Sequence, residues 1–170
     1  MMYKDQEKLE NLLFEEINRR ERLIDVLFFF SYKNNLIPRV IKETKARITL
    51  ISTDQEIEES NKVDNWSEDP FKFLDLAIET QTKFDIILLI NPEEYFDGRS
   101  DIDFKDFHKE FFRTLQMKLL NQGGVIIFST HKEGFQLNQY IKPGADKLTK
   151  QVLTKEEREE SHLQAYAFYA

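Results

Sequence analysis

The chain has 170 residues, 41% of them hydrophobic and 32% charged, with a formal net charge of -7 and no cysteine. That length is one domain, able to bury about two-thirds of its unfolded surface, and that composition excludes a disordered chain. The missing cysteines exclude disulfides, thiolate nucleophiles and cysteine-based zinc sites.

In chain order, the first element is an amphipathic helix within residues 1–22, with Leu9, Leu12, Leu13 and Ile17 on one stripe. Residues 23–32 (LIDVLFFFSY) are nearly continuous apolar sequence without a turn residue, as suits a central strand covered on both faces. Asn34 and Asn35 offer a cap for a helix over 36–44, with Pro38 in its first turn. A second strand is expected at 47–53 (RITLIST), followed by an acidic, polar stretch to Asn65. Ser67 or Asp69 can cap a helix from Pro70 to about Thr80, and FDIILLI at 84–90 is a third strand stopped by Asn91-Pro92. Phe104, Phe107, Phe111, Leu115 and Leu119 give residues 103–120 helical spacing. Gly123-Gly124 breaks the chain before a fourth strand at 125–130 (VIIFST). The alternating segments 147–153 and 162–169 read as half-buried antiparallel strands, joined by a charged solvent loop, TKEEREES.

Strands alternating with helices predict an α/β fold: a three-layer, Rossmann-like, mostly parallel sheet with a C-terminal antiparallel strand pair, preceded by the N-terminal helix. No repeat or linker divides it, so residues 1–170 form a single domain, with residues 23–170 as the α/β core. Apolar runs such as Val26 to Phe30 are too short for a bilayer, and no signal-peptide pattern opens the chain. An intracellular, cytoplasmic protein without membrane contact is the expectation. Charge is unevenly spread: residues 51–106 carry 5 basic and 16 acidic side chains, whereas the segments on either side are each slightly basic. An acidic middle repels phosphate, which argues against nucleic-acid binding there and favours a protein partner with a basic surface.

RITLISTD, then FDIILLINPEEYF, then a long helix and LLNQGGVIIFST occur in the order found in class I S-adenosylmethionine-dependent methyltransferases, and the chain resembles that family over about residues 23–170. The resemblance implies that Asp54, after the second strand, holds the cofactor ribose, with Asp75 on the adenine side and Tyr32 beside the cleft. Asn91-Pro92-Glu93-Glu94-Tyr95 resembles the Asn-Pro-Pro-Tyr motif of enzymes acting on amino groups. By that resemblance the Asn91 side chain and a backbone carbonyl accept hydrogen bonds from the target nitrogen while Tyr95 stacks on it. Glu93 replaces the second proline, and one residue is added before Tyr95. Each of these residues also has an ordinary reading: Asn91-Pro92 ends a strand, Asp54 caps a helix, and Asp75 is an exposed helical carboxylate.

The departure from the family lies after the first strand, where its members run into a loop of alternating glycines that lets the cofactor approach bare backbone. Here that place holds FFFSYKNN, and the first glycine of the chain is Gly98. The expectation is therefore a degenerate methyltransferase-like domain, without a cofactor, that serves as a protein-binding, non-catalytic subunit. The alternative is an active S-adenosylmethionine-dependent methyltransferase with an atypical first loop. His108, His131 and His162 have no metal-ligand spacing, so no metal is expected; His131, after a strand end, is the one placed for acid–base work.

Overall fold

The computed structural model describes residues 4–29, 36–51, 63–66, 70–90, 111–130 and 149–170. In chain order these form α1 (Lys4–Arg19), β1 (Asp25–Phe29), α2 (Leu36–Glu43), β2 (Arg47–Ile51), β3 (Val63–Trp66), α3 (Pro70–Glu79) and β4 (Phe84–Ile90). There follow α4 (residues 111–119, its last turn Leu115–Leu119 π-helical), β5 (Leu120–Thr130), β6 (Thr149–Gln151), α5 (Lys155–Ser161) and β7 (Gln164–Tyr169). The strands make one sheet in the order β3-β2-β1-β4-β5-β7-β6. The first five are parallel, and β7 runs antiparallel to both β5 and β6.

Why the central strands read as unbroken apolar runs is clear from where their side chains go. Because successive side chains point to opposite faces, a strand buried on both faces needs apolar residues at every position. Val26 and Phe28 of β1, Ile86 and Leu88 of β4, and Val125 and Ile127 of β5 enter one core with Leu9, Leu13 and Ile17 of α1 and Ile37 and Val40 of α2. Their neighbours Leu27 and Phe29, Ile87 and Leu89, and Ile126 and Phe128 enter a second core with Phe73 and Ala77 of α3 and Phe111, Phe112 and Leu115 of α4. β7 divides likewise, Ala165 and Ala167 to the first core and Tyr166 and Phe168 to the second. The result is the expected three-layer fold, helix–sheet–helix.

Three expectations are corrected. The charged stretch TKEEREES is a helix, because Thr154 and Glu157 form a capping box: the Glu157 amide donates to the Thr154 hydroxyl at 3.2 Å, and the Thr154 amide donates to the Glu157 carboxylate at 3.0 Å. Val63–Trp66 is a strand at the end of the acidic, polar stretch; as an edge strand that pairs, among the described residues, with β2 alone, it tolerates Asp64 and Asn65 in its sequence. Gly123-Gly124 does not interrupt the chain before the fourth strand but lies within β5. Between Phe84↔Leu120 and Ile86↔Val125 the register slips, so residues 121–124 bulge. Asn34, Asn35, Ser67, Asp69 and the expected helical residues 103–110 lie outside the described residues.

The bulge uses its two glycines differently. Gly123 has a φ of +79°, the left-handed region, with open space around its Cα. A Cβ on Gly124 would lie 2.8 Å from the backbone oxygens of Asn121 and Asp85, so β5 could not sit so close to β4. In denaturant titrations Gly124→Ala is therefore expected to cost about 2–3 kcal/mol by overpacking and Gly123→Ala about 1 kcal/mol by backbone strain. Equal losses would remove the close-approach argument. Thr154→Ala should cost about 1 kcal/mol through loss of the cap, seen as a lower midpoint with an unchanged slope.

Candidate functional site

Open α/β sheets bind ligands beyond the carboxyl ends of their strands, where the strand order reverses. Here the reversal falls between β1 and β4, since the chain leaves β1 towards β2 on one side and resumes at β4 on the other. At that edge Phe29, the last residue of β1, stands opposite Ile51 of β2 and Leu89 of β4. The chain leaves this edge into residues 30–35, 52–62 and 91–110, the stretches that contain Tyr32, Asp54 and the Asn91, Pro92 and Tyr95 motif. Parallel pairing thus brings the points of departure of all three stretches together. The five residues themselves, and His131, lie outside the described residues. Asp75 is described: it lies midway along α3 with its side chain exposed.

Beneath this edge, on the α3–α4 face, the packing is aromatic. The Phe29 ring meets Phe111 at 5.1 Å and Phe73 at 6.4 Å, both edge-on, and Phe111 meets Phe71 at 6.5 Å. Phe112 sits 4.7 Å from Phe168 and 6.0 Å from Phe128, continuing the layer under β5 and β7. Phe28 and Phe29 are 1% and 2% exposed, so the end of β1 is filled core on both faces. At the end of β5, Ser129 and Thr130 are buried hydroxyls. Among the described residues no group of His, Asp and Glu is arranged to hold a metal ion, and no helix is long and apolar enough to cross a membrane.

The opposite, amino edge of the sheet carries charge that the sequence reading missed. Asp85, only 3% exposed in its side chain, accepts hydrogen bonds from Arg22 at 2.7 and 3.2 Å, from the Asp25 amide at 3.0 Å and from Asn121 at 3.1 Å. Burial disfavours its ionised form, but these donors outweigh it and hold the carboxyl below the usual carboxylate range. Asp25 in turn pairs with Arg47 at 2.8 Å, joining β1 to β2. Glu16 of α1 is held low in the same way: burial opposes, while Arg19, Arg20 and the Tyr169 hydroxyl donate. Tyr169, partly buried and bonded to Glu16, is pushed up to about 12. The signal available in advance was one carboxylate inside an otherwise apolar run, FDIILLI, since a buried charge requires fixed partners.

No family model matches this sequence, and no curated protein matches it. Solved structures do. A candidate S-adenosylmethionine-dependent methyltransferase from Streptococcus mutans superposes with a TM-score of 0.69 at 16% identity, covering 99% of this chain and 50% of that one. A candidate methylase from Haemophilus influenzae gives 0.65 at 14% identity, over 97% of this chain and 98% of that one. The N-methyltransferase NodS from Bradyrhizobium japonicum, solved with S-adenosyl-L-homocysteine, gives 0.60 at 11% identity, over 97% and 87%. The chain therefore has the fold of class I S-adenosylmethionine-dependent methyltransferases, and spans about half the length of the Streptococcus mutans protein.

Because Asp85 has a folded pKa below its unfolded one, its contribution is fully present above pH ~4 and is lost as pH falls through the folded value. Asp85→Asn is expected to cost about 2 kcal/mol at neutral pH and to flatten the fall in stability below pH ~4. Denaturant midpoints across that range measure both. An acid fall as steep as that of the unsubstituted protein would assign it to other carboxylates.

Proposed function

We propose that this protein is a methyltransferase-fold domain that works by binding another protein, as a non-catalytic subunit, and does not transfer a methyl group. One observation carries the reading. β1 ends in Phe28 and Phe29, both buried, and the sequence continues through Phe30-Ser31-Tyr32-Lys33-Asn34-Asn35 with no glycine before Gly98. In the glycine-bearing arrangement the cofactor approaches backbone that carries no side chain; a residue with a Cβ there occupies the space of the ligand. No glycine lies close enough in sequence to supply the loop by a shift of register. Function on such a domain then resides in its surface, and the expected contacts are the N-terminal helix α1 and the acidic side chains of the sequence between residues 51 and 106. A stretch with 16 acidic and 5 basic side chains suits a basic protein partner better than nucleic acid.

The second reading is an active methyltransferase, and a specific observation favours it. NodS was solved with the demethylated cofactor bound, and this chain keeps Asp54 after β2 and Asn91-Pro92 directly after β4. On that reading Asp54 would hold the ribose hydroxyls and Asn91 the target amine, the cofactor supplying the methyl group.

Calorimetric titration with S-adenosylmethionine and S-adenosyl-L-homocysteine separates the two. We expect no binding heat at millimolar ligand, at either of two temperatures. Micromolar binding abolished by Asp54→Ala would overturn the proposal and establish the enzyme reading.

A further inference from the structure

We draw no further inference here: the strongest candidate, the surface of the α3–α4 face of the sheet where the apolar side chains of Leu76, Ile78 and Met117 are exposed, carries nothing, because nothing in the structure shows what covers it.

Discussion

The structure depends on how one carboxylate, Asp85, is kept charged at the start of the central strand β4. Four separate stretches of the chain meet on it: the α1–β1 link through Arg22, β1 through the Asp25 amide, β4 itself, and the β5 bulge through Asn121. An apolar residue there would bury more easily, but it would leave the Asp25 amide and the Asn121 side-chain donor without this acceptor. The geometry of the bulge follows. Asn121 reaches Asp85 because residues 121–124 step out of register, and they can do so because Gly123 adopts a positive φ and Gly124 lets the two strands touch. With a buried carboxylate and a largely exposed arginine, this hub fixes arrangement through its hydrogen bonds, which tie the starts of β1, β4 and the β5 bulge to one acceptor.

A second set of polar links fastens α1 to this frame. Glu16 receives Arg19, Arg20 and Tyr169; Arg20 also reaches the Gly123 carbonyl, and Lys8 pairs with Glu157 of α5. The apolar stripe of α1 alone fixes which face it buries but not its position along its own axis, because Leu, Ile and Ala contacts are not directional. The hydrogen bonds supply that position. They also explain why the charged link before β7 is helical: Glu157 accepts from Lys8 of α1 and closes the Thr154 cap, so the same carboxylate starts α5 and binds α1, which holds its pKa down at about 2.

How much of this was legible in the sequence depended on the range of the interaction responsible. β4 and the face of α1 were readable because every residue reports its own environment: FDIILLI admits no exposed face, and Leu9, Leu12, Leu13 and Ile17 admit one. The parallel direction of the first strands was readable from the alternation of strands and helices, since parallel neighbours demand crossovers; their order in the sheet was not. β3 was not, because an edge strand paired on one side need not be apolar, and VDNW resembles a linker. The helix α5 carried a readable signal, Thr154 and Glu157 at capping-box spacing, which its density of charge obscured. Nor did periodicity announce the Asp85 hub, since its partners lie 36 to 63 residues away. Of the candidate site, topology brings together the exits of β1, β2 and β4, and Asp75 is an exposed residue of α3.

The two edges of the sheet therefore pose different chemical questions. At the carboxyl edge the issue is space. A fold that superposes on methyltransferases over nearly its whole length preserves the crevice between β1 and β4 as a topological fact, whatever fills it. Cofactor binding in that crevice needs bare backbone after β1, and the sequence there offers Phe30, Ser31 and Tyr32. Sheet stability does not need glycine; a β-branched or aromatic residue at a buried strand end stabilises it better. Phe29, locked between Phe73 and Phe111, is what a strand end looks like when stability is the requirement it meets. At the amino edge the issue is charge: Asp85 holds Arg22 and Asp25 holds Arg47 in fixed pairs. At the carboxyl edge the question of cofactor binding thus turns on the sequence that follows Phe29, and at the amino edge the charges are held in pairs that join one element to the next.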